Sequence, residues 1–287
     1  MSVFASILAT ERRLQEPICS FTPGEGYTVY QSERYPRFCG GNGIEIDDPR
    51  DRSLADWEEL FVRYFQAGQY EHKTFTYPDA PPFARITEEA RAGGYHVTSD
   101  IFLALDHTRL CRGVPEGYEV GQVRDEGGYA RIMAGLEIAF CGEDWYTPGA
   151  AARLFTKTRH VSDDTGMEWW YLRPRDKEDF AAWLAIFCHQ GVGRVEDVAT
   201  LPSYRRRGLA GALVSFAVRR LLENMGAKVV ALDADEDYHA IELYRKLGFA
   251  EVGRRVALMK YPVQNPAPPG GSSGTPASPA ASAFPAE

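Results

Sequence analysis

Apolar positions along the chain change period several times, and each change marks an element. Trp57, Leu60, Phe61, Tyr64 and Phe65 recur at helical spacing behind Ser53. Asp56, three residues after Ser53, resembles the second half of a capping box, so a helix is expected there. A short helix is predicted over 87–93, closed by Gly93-Gly94, and residues 95–106 then read as a strand. The turn-rich link Arg112-Gly-Val-Pro-Glu-Gly117 leads into another strand at 118–123. The apolar run 180–187 reaches Cys188-His189 before a glycine turn, which reads as a strand end. Residues 193–200 read as a strand, and Leu209, Leu213, Phe216, Ala217 and Leu221 as one face of a helix stopped by Gly226. A β-rich run over 228–233, a helix over 238–249 and a hairpin-like stretch through Lys260 complete the pattern.

The junction between the strand at 193–200 and the helix after it holds the most telling chemistry. Its sequence is Thr200-Leu-Pro-Ser-Tyr-Arg205-Arg206-Arg207-Gly208-Leu209-Ala210-Gly211. Amides at a helix N-terminus lack internal partners and the helix dipole adds positive charge, so such a turn suits a diphosphate. Gly208, Ala210 and Gly211 keep side chains clear, and three arginines supply fork-shaped donors. Glycine-rich strand-to-helix turns also serve nucleotides, and many only turn the chain.

Two motifs in order narrow the choice. Arg205-x-x-Gly208-x-Ala210 is followed by Leu243-Tyr244-Arg-Lys-Leu-Gly248-Phe249, and together they resemble the GNAT superfamily of acetyl-CoA-dependent N-acetyltransferases over roughly 117–262. The resemblance implies an α/β (α+β) fold with a mixed, mostly antiparallel sheet flanked by helices. It also implies that the end of the strand at 193–200 bulges and splays from its neighbour, so that the backbone at Val198, Ala199 and Thr200 holds the pantetheine arm and polarises the thioester carbonyl. Arg205, Arg206, Arg207, Gly208, Leu209, Ala210 and Gly211 would then hold the diphosphate. Tyr244 is the family's expected general acid toward the departing thiolate, although Ala240, Ile241, Tyr244 and Leu247 also form an apolar stripe in which a tyrosine can be core. Glu196 and Asp233 lie on the strands expected to flank the cleft and are candidates for the general base. Strand alternation puts Glu196 on the same side as Val198 and opposite Val195. Asp237 stands where the family often has asparagine; it reads as a cofactor contact by resemblance or as the N-cap of the next helix. The cluster Asp233, Asp235, Glu236 and Asp237 offers a cationic acceptor negative charge.

Composition sets the boundaries. The chain has 287 residues, is 44% hydrophobic and carries a formal charge of -8. That length has room for two domains, and the negative charge argues against nonspecific nucleic-acid or anionic-membrane binding and favours a cationic amine acceptor. Expected domains are an N-terminal α/β unit at 1–115, with a weak likeness to a degenerate acetyltransferase half; a GNAT-like unit at 116–262; and a disordered Pro/Ala/Ser/Gly tail at 263–287. Cys19, Cys39, Cys111, Cys141 and Cys188 show neither paired nor zinc-like spacing, and His72, His96, His107, His160 and His239 show no metal-ligand spacing, so no metal is expected. No membrane span or secretory leader is read, which points to a cytoplasmic protein; a homo-oligomer stays open. Trp145, Tyr146, Trp169 and Trp170 are either acceptor walls or core. The leading expectation is acetyl transfer from acetyl-CoA to a primary amine of a small molecule, peptide or protein. The alternatives are an idle acyl-CoA-binding module, or an enzyme with a hydroxyl or thiol acceptor or a longer acyl donor.

Overall fold

The computed structural model describes residues 2–36, 38–65, 72–107, 111–140, 150–237 and 240–261. Tyr238 and His239, Cys141, Trp145 and Tyr146, and the tail expected at 263–287 lie outside the described residues. The capping box at Ser53 is present: its side chain accepts the Asp56 amide while Asp56 accepts the Ser53 amide, and helix α2 (Leu54–Tyr64) follows. Helix α3 (Ala84–Ala92) ends at Gly93, as the glycine pair predicts. Ahead of these stand α1 (Val3–Gln15), a helix the apolar pattern does not announce, and strands β1 (Ser20–Gly24), β2 (Tyr27–Gln31) and β3 (Gly43–Ile46). Strands β4 (Lys73–Pro78) and β5 (His96–Leu105) bracket α3.

After the turn at 112–117 come β6 (Tyr118–Gln122), helices α4 (Glu126–Phe140) and α5 (Ala150–Thr165), and the antiparallel strands β7 (Glu168–Pro174), β8 (Ala182–His189) and β9 (Val192–Thr200). Helix α6 (Leu209–Asn224) crosses back to β10 (Val229–Asp235), which lies parallel to β9. Helix α7 (Ala240–Lys246) leads into β11 (Ala250–Lys260). The expected terminal hairpin is instead this one long strand. Gly253 sits at a register irregularity between Glu251 and Gly253 where β11 pairs with β5.

The eleven described strands form one sheet in the order β1-β2-β3-β4-β11-β5-β10-β9-β8-β7-β6. Strand β5 is antiparallel to both β10 and β11 and lies between them, so the sheet runs unbroken across the link at 112–117. Helices α6 and α7 cover one face of the central strands through Leu213, Leu221, Ile241 and Tyr244 against Ile101, Leu103, Leu184, Ile186 and Leu232. On the opposite face α1 places Ile7 against Phe102, Ala104 and Ala231, and further along Trp169 and Trp183 join Leu14, Ile132 and Val161. Burial of this apolar area, at about 25 cal/mol per Å², is the main force holding the layers together.

Candidate active site at the parting of two strands

Strands β9 and β10 pair only over Val229 with Val192, Val230 with Gly193 and Ala231 with Arg194. Both strands continue, β9 to Thr200 and β10 to Asp235, but no further pair between them occurs among the described residues. The cause lies in β9. Ala185 of β8 faces Glu196 and Trp183 faces Ala199, so two residues of β9, Asp197 and Val198, oppose the single Leu184. Asp197 takes φ +52°, the left-handed value typical of a bulge. The bulge turns β9 away and opens a V-shaped gap toward the carboxyl ends of both strands.

The same bulge corrects the strand alternation read from sequence. Val198 packs with Val195 in the cluster beneath α6, whereas Arg194 lies over Phe102, whose ring belongs to the cluster beneath α1. Glu196, hydrogen-bonded to Arg194, shares that opposite side. The inserted residue shifts the two-residue period by one, so Glu196 and Val198 no longer share a face. Ala199 then packs toward Tyr204 and Trp183. Thr200 pairs with Ala182 and keeps a buried Oγ1 with no hydrogen-bond partner.

Beyond Thr200 the chain folds into the arginine turn. Pro202–Tyr204 make one turn of 3-10 helix, Arg206 takes φ +63° and Gly208 φ +76°. Gly208 is the N-cap of α6 and supplies no side-chain cap, so the first amides of the helix gain no acceptor from it. A Cβ at Gly208 would meet nothing within 4 Å, so the space in front of these amides is open. The three arginines divide their duties. Arg205 Nε donates to the Thr200 carbonyl at 3.3 Å, and Arg207 donates to the Ser203 carbonyl at 3.0 Å and the Tyr118 hydroxyl at 3.4 Å, so both brace the turn. Arg206 is exposed. Leu209 is buried in the core, Ala210 is half-buried, and Gly211 lies under Arg112, whose Cδ would be 3.3 Å from an added Cβ. Arg112 thus adds a cation near the first turn of α6 that the linker sequence did not signal.

Both candidate bases lean on a residue that sequence reading passed over. Arg194 Nε donates to Glu196 Oε1 at 2.7 Å and its Nη2 to Asp233 Oδ1. An arginine and a glutamate two apart on a strand share a face, and that spacing was the available signal. Burial pushes the Glu196 carboxyl up to about 7 against the pull of Arg194, with Asp233 and Asp197 adding to the rise. Burial also raises Asp197, opposed by Lys157 of α5, while burial lowers Lys157.

Tyr244 is buried in α7, with its ring edge-on to Phe249 at 6.2 Å. It therefore belongs to the apolar stripe as well as to the site's motif. Asp237 is exposed and donates its amide to Asp235 Oδ1 at 2.9 Å; the residues joining it to α7 lie outside the described ones. Trp169 is core, its Nε1 donating to Ser162 Oγ, and Trp170 packs on Phe216 and Arg220 of α6, so neither walls the gap. Cys188 and His189 are successive strand residues; Cys188 packs beneath α6 while His189 stacks on Phe187, so they do not form a catalytic pair.

A cleft of about 590 Å³ lies between α3 and the strands β5 and β11 and reaches Asp235 at the carboxyl end of β10; Glu196, Asp233 and Tyr244 are not among its lining residues. Carboxylates of Asp79, Glu88, Asp235, Glu236 and Asp237 line it with one cation, Arg91. Among the described residues no group of three or more His, Cys, Asp or Glu side chains is placed to hold a metal, and no helix is long and apolar enough to cross a membrane.

Residues 136–249 match the model of the acetyltransferase (GNAT) family. Among solved structures, a conserved protein of unknown function from Staphylococcus epidermidis aligns at TM-score 0.69 and 12% identity, over 85% of this chain and 95% of that one. A GCN5-related N-acetyltransferase from Kribbella flavida aligns at TM-score 0.64 and 18% identity, over 90% and 96%. A tandem GNAT protein from the clavulanic acid biosynthesis pathway aligns at TM-score 0.57 and 14% identity, over 85% and 79%. At these identities the likeness is one of fold, and that fold is the expected α/β arrangement with a mostly antiparallel sheet. No curated protein matches the chain.

Proposed function

We propose that this chain, whose residues 136–249 match the model of the acetyltransferase (GNAT) family, moves an acetyl group from acetyl-CoA to a primary amine. The observation that supports this most is the coincidence of two features: the β9/β10 gap and, a few residues on, the uncapped N-terminus of α6 behind Gly208. A diphosphate at the α6 amides, with Arg206 exposed beside them, would direct a pantetheine arm into the gap. The residues present suit that substrate, since Gly208 leaves the approach to the α6 amides open and Arg206 stands exposed beside them.

In this reading the backbone at Val198 to Thr200 orients the thioester, and its amides stabilise the oxyanion, a contribution of about 3 kcal/mol for one well-placed donor. Glu196 or Asp233 takes a proton from the incoming ammonium, directly or through water. The neutral nitrogen attacks the carbonyl carbon and a C–N bond forms; the nitrogen gives its second proton to water, and the C–S bond breaks as the tetrahedral oxyanion collapses. Tyr244 gives its phenolic proton to the sulfur and regains one from solvent. Glu196 suits the base because a carboxyl near 7 is both ionised and basic enough at neutral pH.

The acceptor side is read from charge. Asp79, Glu88, Asp235 and Asp237 against Arg91 in the cleft that reaches the end of β10, with Glu236 there paired to Arg254, favour a cationic amine. Cys19, Cys111 and Cys188 are free thiols, which suits a reducing compartment such as the cytoplasm. The test is release of coenzyme A thiol across a panel of polyamines, aminoglycosides, amino acids and peptide N-termini. Release should depend on the amine, and Tyr244→Phe should slow it about tenfold with donor affinity kept, because a thiolate is already a fair leaving group. Tight acetyl-CoA binding with no release across the panel would instead identify an acyl-CoA-binding module.

A further inference from the structure

We propose that Arg194 is a positioning residue that pins the vertex of the β9/β10 gap and holds Glu196 and Asp233 in place for proton transfer. This rests on the acyl-transfer reading above.

Its place in the sheet is the first argument. The last pair joining the two strands is Ala231 with Arg194, and beyond it they part. The side chain then reaches forward along both arms, to Glu196 on its own strand through Nε and to Asp233 on the neighbouring strand through Nη2. A planar guanidinium meets two such acceptors at once, whereas an ammonium is a single point of charge.

Burial is the second argument. The Arg194 side chain is 2% exposed, so water and salt do little to weaken these contacts, and losing the cation would strand two carboxylates. The guanidinium lies 6.0 Å from the centre of the Phe102 ring, over which Arg255 also sits at 5.1 Å. Arg255 is fixed in turn by Glu11 of α1, at 2.8 Å, and by Asp100 of β5, at 3.3 Å. The pin therefore rests on a rigid floor. Stability alone does not explain the arrangement, because Arg194 Nη1 is buried without a hydrogen-bond partner.

The charged groups around Glu196 give the sign of the pH effect. They are Arg194 and Asp197 on β9, Asp233 on β10 and Lys157 on α5; Arg194 itself also feels Glu11 of α1. Arg194 opposes the rise that burial imposes on Glu196. Replacing it with a neutral residue raises the carboxyl further and moves the acidic limb of the rate profile to higher pH.

The experiment compares Arg194→Gln and Arg194→Lys with the wild type. It reads kcat and KM for acetyl-CoA against pH, with the best amine from the panel. Alongside runs an infrared titration of the Glu196 carboxyl, identified by its loss in Glu196→Gln. Arg194→Gln should lower kcat at least tenfold, shift the acidic limb and the infrared midpoint upward by at least half a pH unit, and leave KM for acetyl-CoA within threefold. Arg194→Lys keeps the charge but spans one carboxylate, so it should retain the limb and still lose about tenfold in kcat. A Lys variant that turns over at the wild-type rate overturns the proposal, as does a folded Gln variant with unchanged rate and limb. Should the Gln variant fail to fold, the Lys variant decides alone, its melting temperature showing that it is native. Should the wild type acetylate no amine, the acyl-transfer reading fails by itself. The infrared midpoint still reports on the pin: an upward shift in Arg194→Gln supports it, and an unmoved midpoint overturns it.

Discussion

Gly208 has two roles that substitution can separate. At φ +76° an alanine side chain costs about 1–2 kcal/mol of backbone strain, and because a Cβ there meets nothing no steric clash adds to it. Gly208→Ala should therefore lose about that much stability by chemical denaturation and keep most of its affinity for acetyl-CoA. Gly208→Asp should lose less stability than Gly208→Ala but at least tenfold more affinity by calorimetry, since a carboxylate at the N-cap both occupies the α6 amides and repels phosphate. Equal affinities in the two variants would remove the diphosphate from this turn. The turn was legible because glycine, arginine and the helical stripe are all local signals. Arg194 was not, because its importance depends on Asp233, which is 39 residues away in the chain. Asp197 was not either: nothing in Val-Glu-Asp-Val marks which residue will take the left-handed conformation, and that one residue reverses the face on which Val198 lies.

Among elements, α2, α3 and α6 were readable from apolar spacing and closing glycines or a capping box, whereas α1 was not, although the Ser2 side chain accepts the Ala5 amide at its start. α2 and α3 carry their own start and stop signals in Ser53, Asp56 and Gly93. α1 gains its place from what it covers, and one contact fixes it: a Cβ on Gly253 would fall 2.5 Å from the Phe4 ring. Gly253 therefore lets β11 pass directly under α1 at the irregular pairing with β5, which is why a glycine occurs inside this strand. Gly253→Val should cost about 1–3 kcal/mol in urea unfolding, the range for overpacking a close contact. In a Phe4→Ala background the same change should cost less than half as much, because the clash has gone. Equal costs in the two backgrounds would show that the glycine serves β11 alone and not the seat of α1.

For the whole molecule, the order of strands matters more than their number. The two motifs at 205–210 and 243–249 lie late in the chain, and the link at 112–117 is rich in turn residues, so the chain reads as two lengths joined in the middle. Hydrogen bonds cross that division, since β5 from before the link lies between β10 and β11 from after it. Hydrophobic patterning reports that a strand is buried, but pairing between distant segments leaves no local trace, so this interleaving was not legible. Its consequence is testable by cutting the chain. A fragment of 116–287 lacks β5, so the inner edges of β10 and β11 lose their partner and Leu232, Ala234 and Leu258 lose apolar cover. A fragment of 1–115 keeps β5 but exposes Ile101 and Leu103, which pack beneath α6 and α7 in the intact chain. Each fragment alone should show no cooperative thermal transition and should bind acetyl-CoA at least tenfold more weakly than the intact protein. Produced together, they should assemble and recover a cooperative melt. A 116–287 fragment that melts cooperatively by itself with full donor affinity would show that β10 and β11 can close the site without β5.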